Sequence, residues 1–243
     1  KITGGLRILR RLSGGDRERL RDLSSIFLAE KEFHAVNGAD ASERIRVLVA
    51  AQACLPVLNL GIDWYDDWST IILTPREYRV DKREIDENGV VYEYSDHAAG
   101  EVLELGPVVF SVADVLGAGG GYNVVIHEMA HKLDGRSGSM NGMPPLAGLS
   151  DPREWERDFS AALERLQSSA GPRRPGRSLL LGRLDPYAAE DPPEFFAVMC
   201  EYFFDLPHRL RSVFPGVYRR LAEFFRQDPA GAAGPDAADG RRR

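Results

Sequence analysis

Cysteine is scarce: Cys54 and Cys200 are the only two in 243 residues, both lie in apolar helical contexts, and neither belongs to a CxxC pair. That excludes a disulfide-stapled scaffold and predicts buried free thiols in a reducing, cytoplasmic setting. Long apolar runs are missing as well, since none approaches the ~20 residues that a membrane span requires. The opening KITGGLRILRRL has no apolar h-region and no small-residue cleavage site, so a secretory signal is not expected. The absent initiator Met is expected of a chain trimmed at its start. Lysine is rare beside arginine, 4 against 27, and the net charge is −6, which gives no general attraction to nucleic acid. What the chain does have is apolar content. At 43% hydrophobic residues it can build a core without covalent staples.

The patterning runs helices, strands, helices. Residues 16–33 form an amphipathic helix, with Leu20, Leu23, Ile26 and Phe27 inward. Residues 42–58 form a second, capped by Ser42 and apolar over much of its circumference; Gln52 inside it reads as a satisfied core amide. Short β-branched or aromatic runs at 62–65, 70–74, 90–93, 102–105 and 108–111 follow, with turn signals at Asn88-Gly89 and residues 97–100. They predict a small, mainly antiparallel sheet, and the fold class α+β. Residues 117–121 (GAGGG) lack both the Walker lysine and GxGxxG spacing, so they read as a flexible approach loop. Residues 135–149, rich in Gly, Ser, Asn and Pro, are expected to lead away from what precedes them. Further helices are predicted at 153–167, 192–204 and 216–226, with a short turn at 207–215 and loops at 168–178 and 185–191. Residues 1–228 are expected to form one domain with a helical N-terminal part, and 229–243 a disordered tail.

The chemistry concentrates in one helix, predicted over residues 122–134, YNVVIHEMAHKLD. His127 and His131 are four apart, hence one turn apart on one face, where two imidazoles can share one metal ion. Glu128 projects about 100° round the helix from His127, able to reach a metal-bound water without ligating the metal. The structural alternative is a surface helix with two solvated histidines. Val124, Val125, Ile126 and Met129 argue against it, because they would bury the segment. A catalytic zinc usually has three protein ligands and keeps a fourth position open. Asp134 and Ser137 stand where a metzincin would need Gly and His, which excludes that form. Asp134 either orients an imidazole or is an ordinary polar residue at a helix end. Glu194 and Glu201 are seven apart on one face of the later apolar helix. Glu194 also fits a capping box that starts at Asp191, and Glu201 could equally support a ligand from behind. Spacing leaves both open. His97, in the SDHAAG turn, reads as solvated, and His34 and His208 have no ligand-like neighbours, so none of the three is expected to bind metal.

Three segments now become informative together: HEMAHKLDG, DPYAAEDPPEFFAVMCEYFF and FPGVYRRLAEFFRQDP. With AAQACLPVLNLG, WYDDWSTIILTP and GPVVFSVADVL, they resemble the Mlc titration factor A family of bacterial zinc metallopeptidases, over about residues 20–229. The family's catalytic region is similar to that of anthrax lethal factor. The resemblance implies a zincin-like, gluzincin-like α+β domain with Zn2+ held by His127, His131 and Glu194. It further implies Glu128 as general base and Tyr187 as a hydroxyl reaching into the site. Without it, Tyr187 would read as a core tyrosine in a DPY turn. One departure stands out, Ser111-Val112-Ala113-Asp114 where the family usually shows Ser-Trp-Asp-Asp.

The implied activity is hydrolysis of a peptide or protein substrate, with aminopeptidase action among the expectations and strand addition at a sheet edge as the binding mode. The family's name implies a rival role, sequestration of an Mlc-like transcriptional repressor. A structural zinc site with four protein ligands is a third reading. Direct nucleic-acid or membrane partners are not expected.

Overall fold

A computed structural model describes residues 6–76, 78–85, 91–98, 100–102, 106–149, 151–169 and 186–231. The Asn88-Gly89 turn signal, most of the loop expected at 168–178 and the expected tail from 232 on lie outside the described residues. A 3-10 turn at Arg7–Arg11 leads to helix α1 (Gly14–Glu30), strand β1 (Glu32–Ala35) and helix α2 (Glu43–Ala53). Strand β2 (Thr70–Thr74), the strands β3 (Tyr78–Ile85) and β4 (Val91–Ala98), and strands β5 (Gly100–Val102) and β6 (Val108–Ser111) follow. Helices α3 (Val112–Gly117), α4 (Val124–Gly135), α5 (Pro152–Ser169), α6 (Pro192–Asp205), α7 (Pro207–Val213) and α8 (Pro215–Phe225) complete the order.

The sheet corrects the sequence expectation. Its strand order is β1-β2-β6-β5, and β1–β2 and β2–β6 pair in parallel. Antiparallel pairing between named strands, among the described residues, is found at the edge strand β5 and in the separate β3–β4 pair. The physical reason lies in the connections. β1 reaches β2 through α2, and a helical crossover brings the chain back in the same direction. In the two central strands Ile71, Leu73, Val108 and Phe110 are fully buried, while Ile72 and Val109 between them are only partly covered. Residues 62–65 are also corrected. Ile62–Tyr65 is a 3-10 turn, and its Tyr65 is fully buried with the hydroxyl donating to Ala53 O at 2.9 Å. Ser42 holds the cap position of α2 but makes no side-chain cap bond; its backbone N–H donates to Asp40 Oδ1 at 2.8 Å.

One contiguous cluster of buried side chains joins the helices to the sheet. α4 packs against both α6 and α2 at its centre. Among the described residues no helix is long and apolar enough to cross a membrane. Cys54 and Cys200 are free and buried, as predicted. Packing extends slightly past the expected end of the domain: Ala230 is buried, and its N–H donates to Tyr218 Oη at 2.8 Å.

Two buried lysines brace the sheet side of α4. Lys31 Nζ donates to the carbonyls of Tyr65 and Trp68 and sits 4.3 Å over the Trp68 ring. Lys132, on α4, approaches the same ring at 5.5 Å and donates to Gly106 O at 2.9 Å. Burial lowers the pKa of both ammonium groups, and their carbonyl acceptors compensate.

The aromatic cluster on the other side of α6 sets that helix's rotation. Phe203 is fully buried against Phe204, Tyr218 and Phe225, with ring centroids 5.0, 5.2 and 5.6 Å away. Phe203→Ala is expected to cost about 3–5 kcal/mol, read as a lower urea midpoint at unchanged slope. A midpoint shift no larger than that of an exposed control such as Glu18→Ala would refute this packing role.

Candidate metal centre

The helix predicted over 122–134 spans Val124–Gly135, and it starts where its sequence supplies a cap. Asn123 Oδ1 accepts the Ile126 N–H at 3.1 Å, and the apolar residues Val124, Val125, Ile126 and Met129 turn into the core. This leaves His127, Glu128 and His131 along the side that meets α6. α6 begins with Pro192 behind its cap Asp191, whose Oδ1 accepts the Glu194 N–H at 2.9 Å. The expected capping box is only half made. The Glu194 carboxylate does not fold back on its own helix and turns to the histidines.

His127 stands between two carboxylates of α6. Its Nε2 lies 3.1 Å from Glu194 Oε2, and its Nδ1 lies 2.8 Å from Glu201 Oε1. A carboxylate only accepts, so Nδ1 carries a hydrogen toward Glu201, while Nε2 facing Glu194 either carries a second hydrogen in the imidazolium or, in the neutral ring, offers its lone pair. His131 Nε2 sits 3.2 Å from His127 Nε2 and 3.4 Å from Glu194 Oε1. Ligand atoms of His127, His131 and Glu194 thus lie within 4.8 Å of one another, close enough to share one ion. Two ring nitrogens and a carboxylate that face each other so closely oppose lone pairs, an arrangement that calls for a proton or a cation between them.

The titration behaviour says the same. Burial resists charging His127, but its hydrogen bonds to Glu194 and Glu201 outweigh this and raise its pKa well above the ordinary value. Burial pushes Glu194 up, yet hydrogen bonds and charge from His127 and His131 hold it at about 2. Glu128 is 4% exposed, and burial raises its pKa while the two histidines pull it partly back. An acid of this kind accepts and keeps a proton nearer neutrality than a solvated glutamate does.

Glu201 joins the two helices. One oxygen holds His127, and the other accepts the backbone N–H of Asn123. Asn123 Nδ2 donates to Gln52 Oε1 at 2.8 Å, and Gln52 Nε2 to Leu48 O at 3.0 Å. Gln52 is therefore the satisfied core amide expected, and it also secures the cap of α4. One further turn along α6, Asp205 Oδ2 accepts the Gly121 N–H at 2.5 Å. Gly121 has φ +98, and a Cβ there would stand 3.0 Å from the Tyr202 ring, so the glycine run is closely packed at this end.

Tyr187 is brought to the site. It sits in a 3-10 turn, Pro186–Ala189, within the segment read as loop; it is 43% exposed, and its ring centroid is 6.1 Å from that of His127. Asp134 makes no hydrogen bond to an imidazole. Its Oδ2 accepts the Gly142 N–H at 2.7 Å, while Asp134 Oδ1 and His131 Nδ1 are buried without hydrogen-bond partners. Ser111 caps α3, accepting from Asp114 N at 3.3 Å, so the departing Ser-Val-Ala-Asp segment still makes a helix start. Asn123 and Gly142 were not singled out by sequence reasoning. Asn123 had a signal, a capping residue just before an apolar run; Gly142 had none.

Residues 2–226 match the profile of the family described as glucose-regulated metallo-peptidase M90. The chain is 35% identical to Mlc titration factor A of Klebsiella pneumoniae subsp. pneumoniae over 228 residues, covering 91% of this chain and 83% of that protein. It is 34% identical to Mlc titration factor A of Salmonella agona over 239 residues, covering 96% and 87%.

A pH dependence follows from Glu194. Its carboxyl is held from the ordinary 4.5 down to about 2. A depressed acid adds stability that is complete above its unfolded-chain pKa and is lost as pH falls through the folded one. Glu194→Gln is thus expected to flatten the acid limb of stability between about pH 5 and 2 in chelator-treated protein, measured by urea unfolding. Identical acid limbs in both proteins would disprove the coupling.

Proposed function

The chain belongs to the glucose-regulated metallo-peptidase M90 family, and from that premise we propose that it is a zinc-dependent peptidase of gluzincin-like design. His127, His131 and Glu194 hold the metal. The observation that carries this reading is the spacing of their facing atoms, 3.1, 3.2 and 3.4 Å. Tetrahedral zinc with bonds of about 2.0–2.1 Å separates its ligands by about 3.3–3.4 Å. The Nδ1–H of His127 on Glu201 supports it too, since a carboxylate behind a ligating imidazole fixes its tautomer and raises its basicity.

Zinc bound there would polarise the scissile carbonyl and lower the pKa of a water from about 15.7 toward 7. Glu128 takes the proton of the attacking water and returns it to the leaving amine, a task suited to a buried carboxyl with a raised pKa. Tyr187, partly exposed beside His127, donates to the developing oxyanion; such a donor is worth roughly 2.7–4 kcal/mol. Among the described residues β5 is the outer strand on the side of the sheet that packs against α4, and its outer edge takes the peptide backbone by strand addition. Two unpaired buried thiols favour a cytoplasmic location.

A second reading is favoured by the relatives' name, which describes a factor that titrates Mlc. Sequestration of an Mlc-like repressor would then accompany or exceed hydrolysis as the biological role.

Glu128→Gln is expected to keep zinc and to lose about 10²–10⁴-fold in peptide-library cleavage, the range for a general base. Cleavage at the wild-type rate would sink the mechanism. The same variant separates the two roles: capture of an Mlc-type repressor by Glu128→Gln as strongly as by wild type marks binding as independent of catalysis. Zinc affinity should rise with pH, because the metal must displace the proton that Glu194 and Glu201 favour on His127. An affinity flat from about pH 5 to 8 would contradict that displacement.

A further inference from the structure

Residues 135–149, expected to lead away from the site, turn back to it, and the contact that returns them is made at Gly142. Its N–H donates to Asp134 Oδ2 at 2.7 Å, on the last turn of α4. Its carbonyl accepts from Trp155 Nε1 at 3.1 Å, on α5. Its Cα is pressed against the first residue of α6, where a Cβ would stand 2.6 Å from Pro192 O and 2.9 Å from Pro192 C. The backbone there has φ +76, which glycine alone adopts freely. Gly142, Asp134 and Trp155 are all buried. A single residue therefore ties α4, α5 and α6 together at one point.

That point lies next to two of the ligating side chains. Asp134 comes one turn after His131 on α4, and Glu194 comes two residues after Pro192 on α6. The path Asp134–Gly142–Pro192 thus joins the turn that carries His131 to the turn that carries Glu194. At the other end of the site, Glu201 joins the helices through His127 and the Asn123 N–H. α4 and α6 are clamped on both sides of the metal-binding atoms, once by a carboxylate and once by a glycine.

We infer that Gly142 is a positioning residue for Glu194, setting the separation of its carboxylate from the two imidazoles. The inference rests on the reading of His127, His131 and Glu194 as metal ligands. Because the obstacle to a side chain is the backbone of Pro192, Gly142→Ala displaces the first turn of α6 and carries Glu194 off the shared position. Trp155→Phe leaves an aromatic ring beside Phe159, on which the indole stacks at 4.3 Å, but removes the hydrogen bond to Gly142. It loosens the same contact without a clash.

The test measures zinc affinity of the full chain by competition with a chromophoric chelator, together with the visible spectrum of the cobalt-substituted protein. Gly142→Ala is expected to weaken zinc by about 10–100-fold, the range for residues that support metal ligands from behind. Its cobalt spectrum should move toward that of Glu194→Ala. Placed in a Glu194→Ala background, it should cause no further loss, since its effect passes through that carboxylate. Trp155→Phe should weaken zinc less, with the same dependence on Glu194, and it decides the matter if the alanine variant does not fold. Wild-type zinc affinity in both variants would overturn the inference, as would an equal loss in the presence and absence of Glu194. Failure of the ligand reading looks different: wild type and His131→Ala would then bind zinc alike, or not at all.

Discussion

The pairing of one imidazole with two carboxylates of a neighbouring helix is the constraint on which the remaining structure depends. Glu194, Glu201 and Asp205 fall at i, i+7 and i+11 on α6, a single stripe along an otherwise apolar helix. Each has an assigned answer across the contact with α4: the ring nitrogens, the Asn123 N–H and the Gly121 N–H. Burying Glu201 and Asp205 beside a half-buried Glu194 would be prohibitive without such partners, because an unpaired buried charge costs several kcal/mol. Satisfying them requires α4 to lie antiparallel to α6 at one register. A shift by one residue would leave acids and backbone donors unmatched together.

The neighbouring parts can be understood as supports for that register. Gln52 secures the side chain that caps α4. Lys132 fixes the opposite side of the helix to the chain entering β6, and Lys31 fixes the Trp68 ring beneath it. Arg11 donates to the carbonyls of Phe204 and Asp205 at the C-terminal end of α6. The aromatic cluster of Phe203, Phe204, Tyr218 and Phe225 then faces away from the stripe and holds its rotation. Apolar packing supplies the adhesion, and polar pairing chooses the alignment.

How much of this was legible in the sequence depended on the range over which each signal acts. His127, Glu128 and His131 lie within five residues, and their spacing is fixed by helix geometry alone, so they could be read directly. Residues 70–74 and 108–111 were recognisable as strands, but that they run parallel is recorded by no local pattern, since the chain passes through β3, β4 and β5 between them. The turn signal at Asn88-Gly89 fits the antiparallel pair β3–β4 on its two sides, but that pattern does not extend to the separate sheet that carries β2 and β6. Glu194 and Glu201 looked equivalent because both are acids on the same helix face. What separates them is which nitrogen of His127 each one meets. Gly142 was unreadable for a similar reason: its constraint is the carbonyl of Pro192, fifty residues on.

The two thiols have a consequence of their own. Cys54 lies at the end of α2 and Cys200 in the middle of α6, next to Glu201. Both are buried, and burial pushes the Cys54 thiol to about 12 and the Cys200 thiol well above its ordinary value. Thiolate is the reactive form, so neither sulfur meets an alkylating reagent while its helix stays seated. Each becomes reactive only when that helix opens. The protein thus carries a pair of chemical clocks, one in each of two helices that pack beside α4, which report separately how often its surroundings come apart.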